Sequence, residues 1–292
     1  MPCTLGSVDP ALRLGLEIRL EPAPASPRAP GSVACAGTDD PIAVSAEVFA
    51  GTRALSEAAF SAGFGSVWLS TATPQWMDPT TVAGALTAAV PGLLVGVVVS
   101  LDAGRHPAVV AREVTSVDVV SRGRAALRIR GGRASAPALA EAAQICRSLF
   151  RSPRTTFAGS TYCVEDAPNR PAPVRIGGPL LLVDVEGHGP GTAAGCHDLL
   201  DRGVDVDAMV VGGSADDLGA RLATWTSTDR PLPALLWRGA LDADLVAAAR
   251  TLRTATVQGA AGVIVGPVPG RGRDAIRWIR TAGPMLVGAS QE

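Results

Sequence analysis

Short apolar runs alternate with longer amphipathic ones along the whole chain. The short runs cover 12–20, 66–70, 93–100, 125–130, 180–183, 208–211, 234–237 and 262–265. Several are continuous in Leu, Val and Ile, as strands buried on both faces should be. Between them the 3.6-residue period predicts helices over 45–62, 80–89, 107–121, 137–150, 192–201, 215–225, 243–258 and 272–282. Pro107 suits a first helical position, and Gly63, Gly203 and Gly283 sit where glycine ends helices. Eight strand–helix units in about 250 residues predict a closed parallel (β/α)8 TIM barrel rather than an open doubly wound sheet.

Two stretches leave the alternation. Residues 21–40, rich in Pro, Ala, Gly and Ser, predict a long flexible loop after the first strand. Residues 154–173 predict a small β-hairpin before the fifth barrel strand. One domain over 1–292 accommodates both. The uncharged stretch 82–101 has the length of a membrane span, but Pro91 and Gly92 break it, so helix, turn and strand is the expectation.

Composition removes several functions. All 26 basic side chains are Arg, and the net charge is −1. Schiff-base chemistry, a P-loop lysine and a lysine base are therefore excluded, and nucleic acid is a poor partner. Five scattered cysteines without a C-x-x-C pair, and no apolar leader, predict reduced thiols in a cytoplasmic protein. Cys196 and His197 are adjacent and would point apart on a helix, which argues against a thiol–imidazole couple.

In such a barrel the binding groups lie at the C-terminal ends of the strands. That rim comprises Glu17 and Arg19, then 70–73, 100–105, 130–133, 184–189, 212–214, 238–240 and 266–270. Arg130-Gly131-Gly132-Arg133 joins guanidinium groups to closely approachable backbone, suited to phosphate or carboxylate, or forms a tight turn with solvated arginines. Gly212-Gly213-Ser214 offers backbone N–H groups to an anion, or only a turn. Asp184, Glu186 and His188 have the chemistry for acid–base work or a metal, although no second cluster completes a metal site.

Arg105-His106-Pro107-Ala108-Val109-Val110-Ala111-Arg112-Glu113, followed by Asp118 and Ser121-Arg122-Gly123-Arg124, resembles the luciferase-like monooxygenase superfamily. Phe64-Gly65-Ser66-Val67-Trp68-Leu69-Ser70, the segment Thr156 to Tyr162 and the segment Pro171 to Val174 are similar to further motifs of that superfamily. The resemblance implies a (β/α)8 barrel that binds FMN or the 5-deazaflavin coenzyme F420 at its mouth. It implies hydride transfer or monooxygenation of a small organic substrate, and dimerisation through early barrel helices.

The cofactor-binding residues so implied are Ser70, Ser100, Arg130 and Gly131, with Gly212 and Gly213; no catalytic residue is assigned. In the recognised motif, Glu113 is expected to pair with or cap towards Arg124, and His106 to act as a structural hydrogen-bonder. Trp76 and Trp237 would either stack on a flavin or pack in the core.

The sequence also departs from the family. Ser70 is followed by Thr71-Ala72-Thr73 where an Asp-His pair is usual, the loop after the fourth strand is short, and Asp184 and Glu186 replace the phosphate-holding glycines. Two carboxylates there repel a phosphate unless an arginine neutralises them. The alternative to the enzyme is accordingly a degenerate barrel serving as a non-catalytic partner subunit or ligand-binding protein, in a homodimer or a heterodimer with a related barrel.

Overall fold

A computed structural model describes residues 8–20, 41–71, 77–132, 134, 136–185, 199, 201–225, 233–270 and 272–290, the side chains of 41–44 and 224–225 excepted. The barrel strands are β1 (Leu14–Arg19), β2 (Ser66–Ser70), β3 (Leu94–Ser100), β4 (Ala125–Arg130), β7 (Leu180–Asp184), β8 (Ala208–Gly212), β9 (Ala234–Gly239) and β10 (Gly262–Val265). They close in the order β1-β2-β3-β4-β7-β8-β9-β10, each pair parallel. The predicted (β/α)8 barrel is therefore the observed fold. The antiparallel pair β5 (Arg154–Ala158) and β6 (Cys163–Pro168) is the expected hairpin, outside the ring. The predicted loop at 21–40 lies outside the described residues, as does most of the helix predicted over 192–201.

The helices are α1 (Pro41–Ser61), α2 (Pro79–Ala89), α3 (Pro107–Ser121), α4 (Ala136–Arg151), α5 (Leu218–Trp225), α6 (Leu245–Val257) and α7 (Arg273–Ala289). Their starts are chemically marked. Asp78 caps α2 by accepting from the Thr80 and Thr81 N–H groups, with Pro79 next. His106 caps α3 through Nδ1, which accepts from Ala108 N at 3.2 Å, and Pro107 follows, as its structural role required. Asp244 caps α6 by accepting from Ala247 N.

Two expectations fail here. Gly283 does not end α7, which continues through it and Pro284 to Ala289. Ile279, Ala282, Leu286 and Ala289 are all buried along one face, so packing overrides the local stop signals. A Cβ on Gly283 would stand 2.4 Å from the Cβ of Ala62, so glycine there lets α7 approach the end of α1. Glu113 does not meet Arg124; it takes Arg105, while Arg124 donates to the carbonyls of Thr87, Val90, Leu93 and Ser121. Arg124 thereby ties the end of α2 and the start of β3 to the turn after α3.

The apolar residues form two clusters divided by the sheet. The larger lies between strands and helices. The smaller, around Trp68, Leu94, Val98, Ala126, Leu182, Val210, Leu236 and Ile264, fills the barrel interior. Trp68 is completely buried there because Gly96, its register partner on β3, and Gly15 of β1, which pairs with Ser66, carry no side chain. A Cβ on Gly96 would lie 2.2 Å from Trp68 Cε3, and one on Gly15 would lie 2.8 Å from its Nε1.

Candidate functional site

Alternation along each strand aims every second residue at the barrel axis. Ala126, Leu182 and Leu236 belong to the interior apolar cluster. By the same period, Arg128 and Arg130 of β4, Asp184 of β7 and Arg238 of β9 follow them inward towards the mouth, and Glu17 of β1 does the same after Gly15. The result is a buried ionic layer above the apolar one.

Arg128 is the centre of that layer. Its Nε donates to Asp184 Oδ1 at 2.5 Å, its Nη2 to Asp184 Oδ2 at 3.0 Å and its Nη1 to Glu17 Oε2 at 2.9 Å. Side-chain exposure is 0% for Arg128, 4% for Glu17 and 1% for Asp184. Arg130, 31% exposed, donates from Nε to the same Asp184 Oδ2 at 3.1 Å and from Nη2 to Glu17 Oε1 at 3.4 Å. Arg238 Nη1 lies 3.9 Å from Glu17 Oε2. Burial pushes the Glu17 carboxyl up, but Arg128, Arg238 and Arg130 outweigh it and hold it down at about 2. The same two carboxylates keep Arg128 firmly charged despite its burial.

Beside this layer, at the ends of β2, β3 and β4, opens a cleft of about 350 Å³. Met77, Pro79, Val98, Val99 and Ala103 give it apolar walls; Thr71, Ser100, Asp102, Arg105, Arg130 and Asp78 supply polar groups. Arg105 is held at the rim between Asp78, at 2.8 Å, and Glu113. Ser100 Oγ accepts from Asp102 N at 3.3 Å.

The structure brings two of the sequence-predicted contacts, Ser100 and Arg130, into this cleft. The others are placed differently. Ser70 is buried and its Oγ donates to Glu17 Oε1 at 3.0 Å. Gly131 is buried, its carbonyl accepting from Ala134 N at 3.0 Å. The carbonyl of Gly212 accepts from Arg221 Nη1 at 2.6 Å and that of Gly213 from Trp237 Nε1 at 3.1 Å. Trp237 is thus a core residue, 2% exposed, and packs rather than stacks on a ligand.

Asp184 sits where the sequence placed an acid among phosphate-binding positions, and the neutralising arginine is Arg128. Glu186, His188, Trp76, Arg133 and the Cys196-His197 pair lie outside the described residues. Among the described residues no group of His, Cys, Asp and Glu is arranged to hold a metal. None of their helices is long and apolar enough to cross a membrane. Of the described cysteines Cys146 is buried, its thiol pushed up to about 12 by that burial, whereas Cys163 is exposed.

Sequence reasoning passed over Arg128 and Asp78. The signal for Arg128 was present, because a charged residue at i−2 from Arg130 in the run Ala125-Ala126-Leu127-Arg128-Ile129-Arg130 shares its face.

A parallel eight-stranded barrel with its polar groups gathered at one mouth defines the class. The family model for luciferase-like monooxygenases matches residues 31–195, more than half of the chain, and the chain belongs to that family. No curated protein sequence matches it. Among solved structures it is similar to the coenzyme F420-dependent tetrahydromethanopterin reductase of Methanopyrus kandleri, with TM-score 0.68, 11% identity, and coverage of 95% of this chain and 99% of that one. The monooxygenase RslO1 of Streptomyces bottropensis gives TM-score 0.67, 14% identity and coverage of 95% and 99%. The EDTA monooxygenase EmoA of Chelativorans sp. BNC1 gives 0.62, 13%, 95% and 93%. Likeness at these identities concerns the fold.

Proposed function

We propose that the chain is an oxidoreductase that seats the ring of FMN or coenzyme F420 in the cleft at the ends of β2, β3 and β4, beside a small organic substrate. The observation that carries this is the pairing of apolar walls with one anchored, partly exposed guanidinium. Such a ring needs a flat apolar surface and donors to its carbonyl edge; Val98, Val99, Met77 and Pro79 supply the first and Arg130 the second. The residues present therefore fit the ring. Of the positions where the family resemblance puts phosphate contacts, Asp184 is buried and neutralised by Arg128, and Glu186 lies outside the described residues.

When bound, the cofactor supplies the hydride or oxygen chemistry. The chain's own part is to bind and orient: Arg130 donates to the ring's acceptor edge, the apolar walls exclude water, and Ser100 and Thr71 line the cleft beside them. Titration of the purified chain with FMN and, separately, with F420, followed by absorbance and fluorescence, tests the reading. One cofactor should saturate at micromolar concentration or below, and Arg130→Ala should weaken it by about ten- to a hundredfold, the worth of a charged hydrogen bond. Absence of binding by both overturns it.

One observation favours the second reading, a non-catalytic partner subunit. Ser70 is followed by Thr71-Ala72 where the family usually has an Asp-His pair, and it is buried with its hydroxyl spent on Glu17. A chain that binds neither cofactor and pairs with a related barrel in light scattering would be that subunit.

A further inference from the structure

We propose that Asp184, supported by Glu17, is a positioning residue that aims the Arg130 guanidinium at the cleft; this rests on the cofactor-binding reading above. Three geometric facts carry it. Asp184 Oδ2 is shared between two arginines, accepting from Arg128 Nη2 at 3.0 Å and Arg130 Nε at 3.1 Å. Glu17 is likewise shared, with Oε2 on Arg128 and Oε1 on Arg130. Both carboxylates are almost wholly buried, whereas Arg130 is 31% exposed and lines the cleft.

The two carboxylates therefore occupy the Nε–Nη2 edge of Arg130. Its Nη1 protons have no partner among the described residues and are left for a ligand oxygen. Arg128 plays no such part, because its three nitrogens already face Asp184 and Glu17.

An unanchored arginine at a barrel rim would lose rotamer entropy on meeting a ligand. Anchoring through a rigid, buried carboxylate removes most of that loss before binding, as preorganised sites do. Charge agrees with this role. Among the described residues three arginines, Arg128, Arg130 and Arg238, face two carboxylates, Glu17 and Asp184. A ligand presenting a carbonyl or anionic oxygen is thereby favoured at Arg130.

A double-mutant cycle with two independent readouts tests the proposal. In titrations with the cofactor that the wild type binds, Asp184→Asn should weaken affinity about tenfold, and Asp184→Asn added to Arg130→Ala should weaken it less than about twofold further. An undiminished tenfold loss in the Arg130→Ala background overturns the proposal, since Asp184 would not then act through Arg130. Glu17→Gln, which leaves the Asp184 contacts of Arg130 in place while removing the charge that faces Arg128, Arg130 and Arg238, is the second variant should Asp184→Asn fail to fold, and its effect on affinity should likewise vanish in Arg130→Ala.

The ligand-free arm is Nε–H exchange in the ¹⁵N-arginine spectrum. The Arg130 Nε–H should be protected in the wild type and lose protection in Asp184→Asn. Exchange as fast as that of an exposed arginine in the wild type overturns the proposal. Because this arm contains no cofactor, it separates failure of the positioning role from failure of the cofactor reading.

Discussion

Arg128→Met removes the cation from the middle of the ionic layer while roughly keeping its volume. Glu17 and Asp184, 4% and 1% exposed, would then face each other with, among the described residues, only the partly exposed Arg130 and Arg238 for compensation. Breaking a buried pair on one side costs roughly 3–5 kcal/mol, a large share of a typical stability of about 5–15 kcal/mol. At about 2.1 cal/mol/K per residue, the unfolding entropy of a 292-residue chain is about 0.6 kcal/mol/K. Thermal melts followed by circular dichroism at neutral pH should therefore fall by about 5–8 °C.

The pH dependence must also change sign. In the wild type the Glu17 carboxyl is lowered from 4.5 to about 2, so its stabilisation is complete above 4.5 and is lost as pH falls towards 2. Without Arg128, burial prevails and the Glu17 carboxyl moves up; stability is then present at low pH and lost as pH rises. The deficit of Arg128→Met should accordingly shrink between pH 7 and about pH 4.5. A deficit below about 1 kcal/mol, or one independent of pH, would refute the assignment of this layer as a charge-compensated core.

Two further outcomes are expected. Gly96→Ala places a Cβ 2.2 Å from Trp68 Cε3 and should cost at least about 1–3 kcal/mol by overpacking, recovered in part by Trp68→Leu; melts of the single and double variants check it. Glu141 of α4 accepts from Ser160 N, Ser160 Oγ, Thr161 N and Tyr162 N at 2.7–3.0 Å. Burial opposes its ionisation, yet these donors hold its carboxyl at about 2, so its clamp on the β5–β6 turn persists down to pH 4.5 and loosens towards 2. Glu141→Ala should raise amide exchange at residues 160–162 to match a loss of about 1.5–3 kcal/mol, and unchanged exchange would contradict the clamp.

The barrel was legible because its signals are local. Continuous apolar runs such as Leu93 to Ser100 can be placed only as buried strands, and their spacing sets the number of units. Helix starts were legible for the same reason, since His106-Pro107 and Asp78-Pro79 act within one turn. What failed was non-local. The continuation of α7 past Gly283 and Pro284 depends on burial of Leu286 and Ala289 against the rest of the molecule. The partner of Glu113 proved to be Arg105, eight residues before it, because Arg124 is consumed by carbonyls of residues 31 to 37 positions earlier. Arg128 finds its carboxylates 111 and 56 residues away, and no spacing rule connects them.

The sealed axis and the open cleft are consequences of one arrangement. Asp184 and Glu17 are tolerable in the interior because Arg128 neutralises them, and the cation that does so has turned all three of its nitrogens to that task. Facing a ligand then falls to the next inward residue of the same strand. At about 3.3 Å per residue, Arg130 stands about 6.6 Å nearer the mouth than Arg128, far enough to reach the cleft and close enough to share Asp184. The two-residue period of β4 thus divides one pair of arginines into a structural cation and an available one.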